Sequence, residues 1–374
     1  MKKEHRLKEL TQVFLKLGFT AFGGPAAHIA MMQQEVVTKR RWMSEQHFLD
    51  LIGATNLIPG PNSTEMAIHI GQDRAGWKGL LIAGLCFILP AVSITLFFAW
   101  LYQQYGQLPE VQPFIYGIKP AIIAVILAAI YPLAKKSLKN LQLWAIGFSV
   151  LLLSLYGINE VFLLFGAGIL AMAIHFINQQ RTAGLFIPIT LLQISDSEVV
   201  SAKNLNLFLI FLKIGAILYG SGYVLFAFLD AELVATGLLS RQQLIDAIAV
   251  GQFTPGPVFS SVTFIGYQIN GLSGALISTL AIFMPSFIFV ALLHPLMKKM
   301  RSSKLLSVFL DAVNVASVAI IITVCYEMAK DSIADWRTVV IGIISSLIVF
   351  KFRKINSAFV VIGGGILGYL LYIV

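Results

Sequence analysis

The stretch Leu57-Ile-Pro-Gly-Pro-Asn-Ser-Thr-Glu65 divides a hydrophobic segment in two. Proline removes an amide donor and clashes with the preceding helical turn, so a helix cannot run through Pro59 and Pro61. The apolar pieces on either side, about residues 48–57 and 62–71, are half the ~20 residues that a helix needs to cross a bilayer. The sequence therefore predicts two half-helices that meet inside the protein.

The start of the second half-helix predicts a binding site. Broken backbone at membrane depth is tolerated only where protein covers it or where it lines a watery cavity. Asn62, Ser63 and Thr64 leave free amides and hydroxyls on the first turn of the new helix. Because helix N-termini attract anions, we expect an anion site at this break.

Composition indicates a multi-pass membrane protein. The chain has 374 residues, of which 57% are hydrophobic and only 12% charged, and a soluble protein of this size carries more charge on its surface. The basic N-terminus runs into a long apolar segment without a cleavage site, so no removable signal peptide is expected. Cys86 and Cys325 lie in separate apolar runs and are predicted to be two buried free thiols. Basic patches with interleaved aromatic residues are missing, which argues against a nucleic-acid partner.

An internal repeat organises the rest of the chain. Phe14-Leu-Lys16 recurs as Phe211-Leu-Lys213, and Pro59-Gly60-Pro61 recurs as Pro255-Gly256-Pro257. A second set of glycines and prolines follows in the same order: Gly71, Gly76, Gly79 and Pro90 recur as Gly266, Gly271, Gly274 and Pro285. The sequence thus predicts an all-α polytopic membrane protein with two homologous halves. The halves are an N-terminal repeat at 1–178 and a C-terminal repeat at 204–374, joined by a linker at 179–203.

Each half is predicted to contain a long first helix, the broken pair and four further apolar spans. In the first half these are about 8–37, 47–71, 78–102, 112–134, 140–156 and 160–178. In the second half they are about 204–234, 242–266, 273–297, 304–329, 337–350 and 356–374. The apolar piece of the linker, Leu185 to Ile194, is too short to span a membrane alone.

Loop charges predict that the two halves are inverted. The first half has no Lys or Arg in 103–112 and 156–160, and its basic loop lies between them, at Lys135, Lys136 and Lys139. In the second half the outer two loops of the three are the strongly basic ones. Five crossings per half with a re-entrant broken pair give this swap, an architecture known in secondary transporters. The same count places the basic N-terminus outside, against the positive-inside rule.

Several motifs form a combined pattern along nearly the whole chain: Phe22-Gly23-Gly24-Pro25 with His28, Ile58-Pro-Gly-Pro-Asn-Ser-Thr-Glu65, Gly84-Leu-Cys-Phe-Ile-Leu-Pro90, Tyr219-Gly-Ser-Gly-Tyr223 and Gly251-Gln-Phe-Thr-Pro-Gly-Pro257. This pattern resembles the chromate ion transporters in their long two-domain form. The resemblance implies a protein of the bacterial inner (cytoplasmic) membrane that exports chromate using the proton motive force, with sulfate as the look-alike anion. The implied partners are chromate or a related oxyanion, protons and membrane lipid.

A tetrahedral dianion is costly to desolvate unless hydrogen-bond donors and positive charge replace its water. The candidate ligands are Asn62, Ser63, Thr64, Lys119, His28, Lys16, Thr254 and Ser260. The candidate helix breaks are Gly23, Gly24 and Pro25, Pro59, Gly60 and Pro61, and Pro255, Gly256 and Pro257. Where the first half has Lys119, His28 and Glu65, the second has Asn314, Leu225 and a serine, Ser260 or Ser261. The first half is therefore expected to hold more of the charge chemistry.

The charged candidates each have a structural alternative. Lys119 lies deep in an apolar span and is a functional candidate for that reason, or it snorkels to the interface. Lys16 and its counterpart Lys213 face the anion, or they pair with Asp50 and Asp246.

The two candidates for proton coupling are His28 and Glu65. His28 packs in the core, contacts substrate or relays protons. Glu65 either caps its half-helix, where the dipole favours a carboxylate, or carries the coupled proton.

Other functional classes remain open at this point. An anion channel could use the same helix ends, and a transporter of sulfate or another tetrahedral anion fits the same features. An intramembrane enzyme needs a nucleophile with a base and an orienting group, and the nearest approach is Ser63 with His69 on one half-helix. No cofactor fingerprint or metal motif is found. A homodimer and a monomer fit the sequence equally well.

Overall fold

The protein is a bundle of helices. A computed structural model describes residues 3–178, 203–219, 222–294, 303–352 and 355–373, and these contain helices but no strand. The predicted linker falls almost wholly outside the described residues, as do Gly220 and Ser221 of the tyrosine-glycine motif and the basic residues Lys298, Lys299 and Arg301.

Eight α-helices form the first half and seven the second, within the described residues. Those of the first half are α1 (Lys3–Thr20), α2 (Pro25–Gln33), α3 (Glu45–Thr55), α4 (Asn62–Ala75), α5 (Trp77–Tyr105), α6 (Gln112–Ser137), α7 (Leu141–Leu155) and α8 (Glu160–Asn178). Those of the second half are α9 (Lys203–Ile217), α10 (Val224–Leu229), α11 (Arg241–Phe253), α12 (Ser261–Leu293), α13 (Lys304–Ser332), α14 (Trp336–Lys351) and α15 (Ser357–Ile373). Five segments are long and apolar enough to cross a membrane: Trp77–Tyr105, Gln112–Ser137, Glu160–Ile177, Val258–Leu293 and Lys304–Ser332.

The halves match element by element, which confirms the repeat. A π-helical turn follows α2 at Gln34–Lys39, and another follows α10 at Asp230–Val234. The turn between α4 and α5 is made at Gly76 with φ 66° and ψ −154°. The long helix α12 kinks at the equivalent Gly271, with φ 59° and ψ −151°, so it corresponds to α4 and α5 joined.

The prediction of one long first helix in each half is wrong. The first helix ends before Gly23, whose φ is 103°, and the chain turns back through Pro25 into α2. Lys16 then meets Glu35, with 3.1 Å between Nζ and Oε1, although a straight helix would hold residues 19 positions apart at about 28 Å. Lys213 and Glu232 form the same contact in the second half, at 2.7 Å. Each half therefore begins with two hairpins, where the sequence had predicted one long first helix and one broken pair.

This hairpin changes the side on which the N-terminus lies. Glu9 on α1 pairs with Arg74 at the end of α4, at 2.8 Å. Arg6, Trp42 and Arg74 line one cavity, so the start of α1, the turn before α3 and the end of α4 are together at one end of the molecule. The sequence analysis had counted a straight first helix as one crossing, which placed the basic N-terminus outside. Because the first helix is a hairpin that does not cross, the N-terminus no longer conflicts with the positive-inside rule.

The equivalent helices α6 and α13 are antiparallel. Lys139, just past the end of α6, pairs with Asp311 near the start of α13 at 2.7 Å. Tyr116, near the start of α6, donates a hydrogen bond to Asp335, just past the end of α13. That bond and one from the Thr338 amide lower the pKa of the Asp335 carboxyl. Because equivalent helices run in opposite directions, the halves are inverted with respect to each other.

One end of the molecule is strongly basic. Lys139 and the start of α13 are together there, and the end of α14 joins them because Phe350 stacks edge-on with Tyr131 of α6. We call it the basic end, and its lysines are Lys135, Lys136, Lys139, Lys304 and Lys351. The positive-inside rule predicts that this end faces the cytoplasm.

The packing mixes the two halves. Helix α6 packs against α14 and α15 of the other half, and α13 packs against α7 and α8. Gly117 of α6 touches the backbone of Gly364 and Gly368 on α15. These six helices form what we call the scaffold body, α6–α8 with α13–α15. The hairpins with α5 and α12 pack together as a second group, the hairpin body, α1–α5 with α9–α12.

The two cysteines are free, as predicted, but only Cys325 is buried, since Cys86 is half-buried.

The hairpin predicts which residues are accessible from which side. In a background with Cys86 and Cys325 replaced by alanine, Lys8→Cys and Lys139→Cys should react with a membrane-impermeant maleimide only after cells are permeabilised. Gln107→Cys, in the loop after α5, should react in intact cells. Labelling of Lys8→Cys in intact cells would contradict the hairpin and favour a straight first helix.

The crossing of α6 and α15 predicts a position that cannot accept a side chain. A Cβ at Gly117 would collide with the Gly364 carbonyl oxygen and the Gly368 Cα, so Gly117→Val should cost about 1–3 kcal/mol of stability. Gly363→Ala on the same α15 meets no atom within 4 Å and is the matched control. Thermal unfolding of the purified variants checks this, and equal melting temperatures would contradict the close crossing.

Candidate functional site

The two helix breaks lie where the halves meet. The Gly60 amide donates to the carbonyl oxygen of Leu218, and the Gly256 amide donates to that of Ala21, each at 2.8 Å. Both glycines have positive φ, 134° and 89°, a conformation that residues with a Cβ rarely adopt. Each half therefore closes the break of the other with the end of its own first helix.

Glu65 is fully buried beside the first break. The Ser286 hydroxyl, from α12 of the other half, donates to Oε1 of Glu65 at 3.4 Å, while Oε2 has no hydrogen-bond partner. A Cβ at Gly60 would collide with Oε1 of Glu65 and with the Ser286 hydroxyl. Helix α4 begins without a side-chain cap hydrogen bond, and Glu65 lies in its first turn, where the helix dipole favours a carboxylate.

Four of the predicted ligands, Asn62, Ser63, Thr64 and His28, meet at the first turn of α4. Ser63 is buried, and its hydroxyl is 3.3 Å from Nδ1 of His28. Thr64 is buried with an unpartnered hydroxyl. Asn62 donates from Nδ2 to the side chain of Asn56 at 2.9 Å. Together with Glu65, these side chains form a polar cluster at membrane depth, and all come from one half.

A cationic cavity adjoins this cluster at the basic end. It measures about 300 Å³ and lies between the ends of α3 and α6 and the start of α13. Its polar lining is Asn56, Lys136, Ser137, Lys139, Ser303, Ser307, Asp311 and Asn314. Asn56 belongs to the lining and also accepts the bond from Asn62, so the cavity reaches the head of α4.

The lysines of this cavity were treated by sequence reasoning only as topology markers. Lys139 pairs with Asp311, while Lys136 brings a second positive charge to the lining. The inverted repeat could have identified them as site residues, because it places the end of α6 beside the start of α13.

Lys119 has a role that was not predicted. Its ammonium donates to Gln242 and lies 4.0 Å from Oδ1 of Asp246. Tyr102 donates to Oδ2 of the same carboxylate at 2.7 Å. Since Lys119 belongs to α6 and Asp246 to α11, this contact joins the scaffold body to the hairpin body at the end opposite the basic end. In this conformation Lys119 neither snorkels to the membrane interface nor binds an anion. We call its contact with Gln242 and Asp246 the Lys119 latch.

Three other predicted ligands have protein partners. Lys16 pairs with Glu35 and its side chain is 57% exposed. The Thr254 hydroxyl donates to the Val250 carbonyl at 2.6 Å, and the Ser260 hydroxyl accepts from Thr95 at 3.2 Å.

The pairs expected for the first-helix lysines are corrected. Lys213 contacts Glu232, while Asp246 belongs to the Lys119 latch and Asp50 accepts a bond from Gln46. The serine and histidine considered for an enzyme also have other partners, since Ser63 contacts His28 and His69 contacts His294.

The family model described as chromate transporter matches this chain twice, at residues 8–172 and 205–369. A probable chromate transport protein of Synechococcus elongatus is 30% identical over 98% of this chain and 96% of its own length. A chromate transport protein of Cupriavidus metallidurans is 30% identical over 98% of this chain and 94% of its own. One of Pseudomonas aeruginosa is 27% identical, covering 96% and 91%. No solved structure matches the chain significantly.

The Lys119 latch predicts a coupling between two residues. Lys119→Met leaves the buried Asp246 without its cation and should lower stability by on the order of 2 kcal/mol. The double variant Lys119→Met with Asp246→Asn removes both charges and should recover most of this loss. Melting temperatures of the two variants in detergent test the pair. A double variant no more stable than the single one would show that Lys119 does not act through Asp246.

Proposed function

This chain belongs to the chromate transporter family, and we propose that it exports chromate from the bacterial cytoplasm across the inner membrane, powered by the proton motive force. The single observation that carries the proposal is the buried Glu65 carboxyl. It lies where the two inverted halves meet, next to the unpartnered hydroxyl of Thr64 and three residues from Asn62, which bonds to the cavity-lining Asn56.

The proposed route for the anion begins at the basic end. Lys136 and Lys139 line the cavity and raise the local concentration of a dianion. At its inner end, the first turn of α4 offers backbone amides and the hydroxyls of Ser63 and Thr64. Such donors replace water around an oxyanion, and the dipole of α4 adds to their attraction.

Coupling to protons is assigned to Glu65. An ionised carboxylate buried at membrane depth is costly unless a cation pairs with it, and the described residues supply no salt bridge to Glu65. When the carboxyl is protonated, the dianion meets no repulsion at the head of α4. When it is ionised, the two negative charges repel each other. A proton and a chromate ion therefore bind together, and their joint exit carries one net negative charge outward, which the membrane potential favours.

Access from one end at a time favours a transporter over a channel. The cavity opens at the basic end, while the Lys119 latch holds the two bodies together at the other end. Lys119 and its counterpart Asn314 differ in charge, so the second half cannot form the same latch at the basic end. Sulfate or another tetrahedral oxyanion remains the alternative substrate, because its charge and shape match the same donors.

The proton-carrier role of Glu65 predicts the behaviour of one variant. Glu65→Gln keeps the size of the side chain and removes its proton exchange, so chromate transport should continue but lose its dependence on pH. Accumulation of labelled chromate in inside-out vesicles, with the proton gradient imposed or collapsed, measures this. Glu110→Gln, in the exposed loop after α5, is the matched control.

The same assay separates the alternatives. If transport by Glu65→Gln keeps the pH dependence of the wild type, the Glu65 carboxyl does not carry the coupled proton. Equilibration of chromate without accumulation by the wild type would indicate a channel. Accumulation of sulfate without chromate would keep the transporter and change its substrate.

A further inference from the structure

We infer that protons reach Glu65 from the basic end through a relay of His47, Asp73, His294 and His69. This inference rests on the proposed function, because it names the route by which the coupled proton arrives. Three of the four contacts in the relay lie within hydrogen-bond distance, and the fourth joins neighbours on one helix face.

The outer part of the relay is a continuous chain of contacts. Nε2 of His47 lies 2.7 Å from one carboxylate oxygen of Asp73, and Nε2 of His294 lies 3.2 Å from the other. Nδ1 of His294 lies 3.2 Å from Nδ1 of His69. His294, which comes from the second half, thus uses both ring nitrogens. An imidazole in this position takes up a proton on one nitrogen and releases one from the other.

The inner part of the relay joins His69 to Glu65 along α4. Residues four apart lie on the same helix face with Cβ atoms about 6 Å apart. Each of these two side chains is buried and carries one polar atom without a partner, Nε2 of His69 and Oε2 of Glu65. Buried polar atoms normally find a partner, so two unpartnered ones on neighbouring side chains point to an exchange between them. His69 gains a proton on Nδ1 and gives the proton of Nε2 to the Glu65 carboxylate.

Exposure falls along the relay as a route into the protein requires. The side chain of His47 is 47% exposed, and those of His294 and Asp73 are 25% and 21% exposed. His69 is 1% exposed and Glu65 is fully buried. A cavity of about 480 Å³ adjoins the outer end and contains His47 and Asp73 in its lining. His294, at the end of α12, is ten residues before Lys304 at the start of α13, which lies at the basic end. Protons therefore enter at this end, near the cavity proposed for the anion but separate from it.

The other charged groups around the relay have partners of their own. Arg74 pairs with Glu9 of α1 and lies over the Trp42 ring, while Arg6 lines the outer cavity. Around Glu65, the neighbouring titratable or hydroxyl groups are Tyr219 and Ser286. His28 of α2 contacts Ser63 on a neighbouring turn. Asp73 is thus the carboxylate that the two outer histidines share.

The second half has no equivalent relay. The positions that correspond to His47, Asp73, His294 and His69 are Gln243, Gln268, Ala99 of the first half, and either Phe264 or Ile265, and none of these side chains titrates. The relay thus connects Glu65 to one end of the molecule alone, as loading and unloading from separate sides requires.

The test removes the middle imidazole. Wild type, His294→Gly and the control His175→Gly on α8 are compared in inside-out vesicles, where the basic end faces the external buffer. Two rates are measured, proton-driven chromate accumulation and chromate–chromate exchange without a pH gradient. His294→Gly should lower accumulation by about tenfold while exchange stays near the wild-type rate, because exchange needs no new proton. Imidazole in the external buffer should restore accumulation, since the ring fits the space beside Asp73.

The outcomes distinguish the relay from the proposed function. If wild-type vesicles show no proton-linked accumulation of chromate, the proposed function is wrong, and so is the relay that rests on it. Wild-type coupling together with unchanged accumulation in His294→Gly would overturn the relay alone. Loss of accumulation and exchange together, without rescue by imidazole, would assign His294 a structural role and also overturn the relay.

Discussion

Two backbone hydrogen bonds hold the centre of this protein together, those from Gly60 to Leu218 and from Gly256 to Ala21. A backbone amide left unpaired at membrane depth costs several kcal/mol, so a broken helix can persist there only if something else accepts its bonds. Each half supplies the acceptor for the other, and the two bonds have the same length. Because the breaks are closed by backbone, the side chains around them stay available for chemistry. Glu65 and the first turn of α4 occupy that position.

Local sequence chemistry predicted the features that depend on neighbouring residues. Proline and glycine at 59–61 and 255–257 force a break whatever surrounds them, and the apolar runs after Trp77 become crossing helices because of their length. The first hairpins were missed for the opposite reason. The turn at Gly23 reverses the chain and brings Lys16 to Glu35, 19 residues away. The local sequence pattern does not show that residues so far apart are in contact.

The candidate site divides along the same line. Ser63, Thr64 and Glu65 were predicted because they follow the break directly. The partners of Lys119 and the cationic cavity were not, since Asp246 and Lys136 reach their places through packing between inverted halves. The histidine at 294 lies at the end of α12 and comes to α4 only because the second half is turned over. The partners of charged residues at helix ends therefore cannot be predicted from their own segments, because the packing of the two halves decides them.

The exchange of packing between the halves has a consequence for how such a molecule arose. Helix α6 finds its partners, α14 and α15, in the other half, and the backbone contact at Gly117 has its counterpart where Gly168 of α8 meets Phe309 of α13. A single half has no surface of its own on which to bury its sixth helix. A half-length ancestor could therefore have been stable only as two copies inserted in opposite orientations. Fusion into one chain then allowed the two copies to diverge, so that Glu65 and most of the relay lie in one copy while His294 and Asp246 lie in the other.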